Sequence, residues 1–297
     1  MTKTHTGLVV LIAFLAGLLG AWVFTAKKTD HEGVVIAASI KESAYDRVMR
    51  TKTFRCGYVV HPPHVIKLSG SDKPSGVVVD VMNETGRLLD IKIDWAEELG
   101  WGTTVEAMRS GRVDGICTDF FVNPIEGRFV NYSIPFYYEA MGVYVRADDH
   151  RFDANLQTLN DPAVSFSASD GGLNYFIVTQ DFPKAPIHSL PNMTGLGTNL
   201  LDVATGKADA TISTTLDGVT FDRFNKGKLR NLTLETPIRA YAATIALPQG
   251  DDALKTMIDS ALIQLLYGQF VNQTLDKYNL PPEGIYRVAR PYALPRS

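Results

Sequence analysis

The stretch Ser110-Gly111-Arg112-Val113-Asp114-Gly115-Ile116 is answered further along the chain by Thr205-Gly206-Lys207-Ala208-Asp209-Ala210-Thr211. Each copy follows a helix-periodic segment and leads into a strand-like run. The roles repeat in the same order: a glycine to end the helix in a left-handed cap, a basic residue at the helix's negative end, and an acid at the turn into the strand. Two such units predict two lobes of similar build. The motif itself is scaffold rather than chemistry.

Outward from the first copy, residues Lys41 to Lys52 read as a helix and Phe54-Arg55-Cys56-Gly57-Tyr58-Val59-Val60 as a strand. Gly76 to Asp80 is expected to be extended, Val81 to Leu89 helical, Ile91 to Trp95 extended, Thr103 to Ser110 helical and Val113 to Thr118 extended. Such alternation implies an α/β fold with a largely parallel, helix-covered sheet. Met141 to Arg146 reads as a strand leaving the first lobe and Ala240 to Leu247 as one returning, and two crossings make a hinge. Asp251 to Tyr267 and Phe270 to Tyr278 are helices expected to pack back on the first lobe. The expected division is a signal anchor or signal peptide over 1–28, a connector over 29–44, lobe 1 over 45–141 and 242–280, lobe 2 over 142–241, and an extension over 281–297 that lies as a strap or is mobile.

A chain of 297 residues with 45% hydrophobic and 21% charged side chains is a folded globular protein. Its net charge of −3, with no concentrated basic face, excludes nucleic acid as a partner. Gly7 to Phe24 is uncharged and apolar, roughly 27 Å as a helix, so this N-terminal hydrophobic helix is expected to meet a membrane. It is an anchor or a long signal peptide; bulky Phe24 at the −3 position of a cut after Ala26 favours the anchor. Cys56 and Cys117 are expected in neighbouring buried strands as two small apolar side chains, because directly paired strands seldom offer unstrained disulfide geometry.

Several motifs together resemble the amino-acid-type, family 3 periplasmic solute-binding proteins of ABC importers. They are Phe54-Arg55-Cys56-Gly57 followed by Pro62-Pro63, Gly76-Val77-Val78-Val79-Asp80 before a helix, Ser110 to Asp114, Glu126-Gly127-Arg128, Tyr132-Ser133-Ile134-Pro135-Phe136-Tyr137 and Gly206-Lys207-Ala208-Asp209. The resemblance runs from Tyr45 to Tyr278. It implies a type II periplasmic-binding-protein fold, with two hinge strands and a cleft that closes on an amino acid or related small carboxylate. It also implies a periplasmic location, an ABC transporter permease as partner, and no cofactor.

The same resemblance makes Arg128 the carboxylate-binding arginine, since a guanidinium forks onto a carboxylate in a way no lysine reproduces. The stretch from Asp114 to Arg128 is longer than the family's usual spacing, which leaves room for that side chain to be displaced. Thr118 and Asp119 end a strand where open α/β sheets place ligands. Asp119 is read either as a site for an ammonium or as a counter-ion to Arg128. Trp101, Phe120 and Phe121 are candidates for aromatic walls, against the alternative of core packing, and His61 falls where the family often stacks an aromatic. In lobe 2, Gly171 belongs to Ser169-Asp170-Gly171-Gly172, which precedes a helix whose free amides suit a carboxylate or an ordinary cap. Thr214 stands where many members carry an aspartate for the α-ammonium, so Asp217 is the candidate substitute. The pair His61 and His64 lacks a visible third ligand, and no metal is expected. Two other functions fit the fold: a sensor for a membrane partner, or a cyclohexadienyl-dehydratase-like enzyme. The enzyme needs an acid of raised pKa in the cleft; the single glutamate of lobe 2, Glu235, lies near its far end, so Asp170 or Asp217 would have to serve.

Overall fold

The computed structural model describes residues 42–71, 73–191, 195 and 197–289. The N-terminal apolar segment, the connector before residue 42 and the end of the extension lie outside them. Among the described residues, no helix is long and apolar enough to cross a membrane.

Lobe 1 opens with α1 (Ala44–Thr51), which Ser43 caps by accepting from the Asp46 amide, and β1 (Thr53–Tyr58). α2 (Val77–Leu88), β2 (Lys92–Glu98), α3 (Thr104–Arg109) and β3 (Gly115–Phe121) follow. β1 lies between β2 and β3, parallel to both. One expectation fails here: Val77, Val78 and Val79 open a helix instead of forming a strand. All three are buried, and burying their apolar surface outweighs the modest helix penalty of β-branched side chains. Gly76 makes the entry possible at φ +128°, because a Cβ there would lie 2.4 Å from the His64 carbonyl oxygen.

After β4 (Val130–Tyr132), the long strand β5 (Tyr137–Arg146) leaves for lobe 2. Lobe 2 comprises β6 (Phe166–Ser169), α4 (Leu173–Asp181), β7 (Ile187–Leu190), α5 (Gly197–Ala204), β8 (Ala210–Thr214), α6 (Thr215–Phe224) and β9 (Leu229–Asn231). β10 (Arg239–Pro248) returns to lobe 1, where α7 (Asp252–Tyr267) and α8 (Phe270–Lys277) pack. The strands run in the order β2-β1-β3-β10-β5-β8-β6-β7. β5 pairs with β10 over Tyr137–Met141 and with β8 over Met141–Val145, so one strand serves both lobes. β10 does the same, meeting β5 with its first half and β3 and β4 with its second. The extension supplies β11 (Ile285–Arg287), which pairs with β5 at Tyr137–Glu139 and lies as a strap on the hinge.

The repeated motif is the same device in both lobes. Gly111 and Gly206 end α3 and α5 at φ +77° and +76°. Their amides bond back to Met108 and Val203. Each acid then accepts from a backbone amide of the neighbouring strand segment: Asp114 from Arg55 at 2.7 Å, Asp209 from Ser165 at 2.9 Å. Apolar clusters fill the lobes separately, one around Phe54, Met82, Ile245 and Leu262, another around Val143, Phe166, Ile177 and Ile212.

Cys56 and Cys117 are joined in a disulfide, which corrects the reading of two free thiols. In the β1–β3 ladder Cys56 stands opposite Gly115, not opposite Cys117, so the cysteines are not a directly facing pair. Their Cα atoms lie 5.4 Å apart, within the range a disulfide spans.

Candidate ligand site

The lobes enclose a cavity of about 170 Å³. Lobe 1 contributes the carboxyl end of β3 (Asp119, Phe120, Phe121), the turn at Trp101 and the turn at His61. Lobe 2 contributes Ser169 to Asn174 where β6 enters α4, Ser213 and Thr214 at the end of β8, and Asp217 in the first turn of α6. Open α/β sheets leave this edge free because their helices start here and direct backbone amides outward. Gly172, the cap residue of α4, makes no side-chain cap bond; the Tyr175 amide donates to Asn174 Oδ1 at 2.9 Å, which leaves the Leu173 and Asn174 amides for a ligand.

Residues singled out from the sequence line this space, among them His61, Trp101, Asp119, Phe120, Phe121, Asp170, Gly171, Thr214 and Asp217. Thr118 lies buried beside it, and its hydroxyl donates to Asp119 Oδ1 at 2.9 Å. Arg128 does not reach the cavity. It is exposed, with its guanidinium 5.2 Å from the ring centre of Phe129. The longer stretch before it folds into a turn in which Asn123 Oδ1 accepts from the amides of Ile125 and Glu126. This turn directs Asn123, Ile125 and Glu126 to the cavity and carries Arg128 past it. Asp119 is therefore not the counter-ion of Arg128.

The lining is acidic, with Asp119, Glu126, Asp170 and Asp217, and no lysine or arginine is among the described lining residues. Burial pushes the Glu126 carboxyl above its ordinary range, although Asn123 Nδ2 donates to it at 2.7 Å. Trp101 packs against both His61 and Phe120, with ring centres 6.0 and 6.4 Å away, and forms an aromatic wall.

His61 bridges the lobes. Its Nδ1 is 2.8 Å from Asp119 Oδ2 in lobe 1, and its Nε2 is 3.2 Å from Asp217 Oδ1 in lobe 2. Burial alone would lower the imidazole pKa, but the charges of Asp119 and Asp217 prevail and raise it well above its ordinary value. Burial would likewise raise both carboxyls, but facing His61 they are held below their ordinary range. Asp217 also accepts from Ser213 Oγ at 3.0 Å, and its amide donates to Thr214 Oγ1 at 3.0 Å. Thr214 is thus occupied as the cap of α6, and Asp217 is the acid that the first helical turn presents to the cleft.

Behind His61 lies a layer that the sequence reading missed. The turn at Pro62-Pro63 holds the His61 and His64 rings 5.0 Å apart. His64 Nε2 is 3.7 Å from Asp119 Oδ2 and 3.2 Å from Glu139 Oε2, and His64 Nδ1 is 2.7 Å from the Tyr137 hydroxyl. The available signal was Glu139 itself, an acid inside the apolar run of β5.

The sequence pattern of bacterial extracellular solute-binding proteins, family 3, matches residues 55–281, and the chain belongs to that family. It is 23% identical over 209 residues to the L-cystine-binding protein TcyJ of Bacillus subtilis (strain 168), covering 70% of this chain and 71% of the relative. It is 30% identical over 146 residues to YckB of the same organism, a probable ABC transporter extracellular-binding protein, covering 49% and 48%. Among solved structures, an ancestral amino acid-binding protein, a precursor of cyclohexadienyl dehydratase, superposes with a TM-score of 0.67 at 18% identity, over 80% of this chain and 99% of that one. That likeness shows the fold.

Proposed function

We propose that this solute-binding protein captures an amino acid whose side chain carries a positive charge, and passes it to the permease of an ABC importer. The observation behind this reading is the cavity lining: four carboxyl groups against the single imidazole of His61, an aromatic wall, and no lysine or arginine among the described residues. The α-carboxylate falls to the amides of Leu173 and Asn174 at the start of α4, in place of Arg128. Asp217 receives the α-ammonium from the helix turn after Thr214. The side-chain cation lies against Trp101 and Phe120, near Glu126 and Asp119. Transport relatives such as YckB support the importer, and a membrane tether through Gly7 to Phe24 would hold the receptor near it.

A thermal-shift panel of amino acids tests this. Arginine, lysine or ornithine at a hundred times its dissociation constant stabilises the fold by about 2.7 kcal/mol. Asp217→Asn weakens that ligand by at least about 30-fold, in line with loss of one partner of a buried charge pair. Arg128→Ala leaves it unchanged. Tighter binding of glutamate than of arginine would sink the reading.

A further inference from the structure

The groups behind the cleft are arranged as a metal site. One ring nitrogen each of His61 and His64 and a carboxylate oxygen of Asp119 all lie within 4.8 Å of one another, and all three residues are buried. A tetrahedral ion with bonds of about 2.0–2.1 Å spaces its donors about 3.3 Å apart. The separations from Asp119 Oδ2, 2.8 Å to His61 and 3.7 Å to His64, bracket that value.

The atoms facing away from this centre are each already held. His61 Nε2 meets Asp217 at 3.2 Å, His64 Nδ1 meets the Tyr137 hydroxyl at 2.7 Å, and Asp119 Oδ1 accepts from Thr118 at 2.9 Å. Metal-binding imidazoles and carboxylates are oriented in this way by partners on their outer side.

A second, independent observation points to a missing occupant. His64 Nε2 and both oxygens of Glu139 have no hydrogen-bond partner, although both side chains are fully buried. His64 Nε2 and Glu139 Oε2 lie 3.2 Å apart, an ion-pair separation. A buried carboxylate with neither oxygen satisfied is costly and calls for an ion or water.

We infer that His61, His64 and Asp119 bind one divalent transition-metal ion of the zinc class, with Glu139 beside His64 at the edge of the site. Two imidazoles and a carboxylate, with a fourth position left for water, suit such an ion better than calcium or magnesium, which favour all-oxygen shells. The ion enters through the open cleft, where His61 lines the cavity between the lobes. Because His61 also meets Asp217 of lobe 2, a bound ion orients the imidazole that closes onto that lobe. The inference does not rest on which solute the cleft takes.

The test uses the full chain without an affinity tag, stripped with EDTA, exchanged into chelator-free buffer and titrated with Zn²⁺ or Co²⁺. One ion per chain is expected by calorimetry and elemental analysis, with the intense visible absorption of four-coordinate Co²⁺. His64→Gln should abolish uptake. Tyr137→Phe should raise the dissociation constant by about 10–100-fold, the usual effect of losing an outer partner. His150→Gln, which alters an exposed imidazole of lobe 2, should leave it unchanged. A wild-type chain that takes up no ion overturns the assignment whether or not the variants fold. So does uptake that survives in a His64→Gln chain with native near-ultraviolet dichroism, or uptake lost in His150→Gln. Amino-acid titrations run in EDTA judge the solute reading separately.

Discussion

The two lobes end equivalent strands in different ways. Counted from the repeated acids, Asp114 and Asp209, Thr118-Asp119 of β3 corresponds to Ser213-Thr214 of β8. Lobe 1 puts its acid on the strand, fully buried, and surrounds it with His61, His64 and Thr118. Lobe 2 has a threonine at the matching place, uses it to cap α6, and supplies its acid from the helix as Asp217. The scaffold acids differ too. Asp114 is 1% exposed and held by Arg47 and Arg55, whereas the Asp209 side chain is 21% exposed and held by Arg151 and the Ser165 amide. One architecture therefore carries a rigid, polar floor in lobe 1 and a more open face of amides and a helix-borne acid in lobe 2.

The largest expected effect breaks the comparison at the disulfide, which staples lobe 1 and has no counterpart in lobe 2. Cys56→Ala with Cys117→Ala opens a link across 61 residues and should cost about 4 kcal/mol by chain entropy. Urea denaturation measures the loss, and hydrogen exchange should place it in β1 and β3. Equal loosening of β6 and β8 would show that the lobes do not differ in this respect.

The next effect compares the scaffold acids directly. Asp114→Asn leaves two guanidinium groups without their buried partner and should destabilise by about 3 kcal/mol. Asp209→Asn removes a more exposed group and should cost about 1 kcal/mol. Reversal of that order in denaturation would contradict the burial argument.

The smallest effect sharpens the comparison through pH. Burial raises the Asp209 carboxyl, but the Ser165 amide and hydroxyl and the Arg151 guanidinium outweigh it and hold it below its ordinary value. A carboxyl depressed in the folded state contributes stability above its unfolded pKa, and that stability fades as pH falls through the folded one. Wild type should therefore lose stability more steeply than Asp209→Asn below about pH 4. Parallel acid-denaturation curves for the two chains would remove Asp209 from that account.

The sequence by itself determined the two-lobed α/β plan, the hinge strands and the scaffold motif. These follow from local periodicity, capping and the position of strand ends, which neighbouring residues largely decide. Local reading failed where a distant surface overruled it. The three valines of α2 became helical under burial, and the cysteine pair formed once β1 and β3 lay side by side. Arg128 was carried past the cleft by a turn that brought in Glu126. Only the tertiary structure joined His61 and His64 to Asp119, Glu139 and Asp217, because these groups come from separate elements of both lobes. Their chemistry depends on distances of a few ångströms that sequence spacing does not encode.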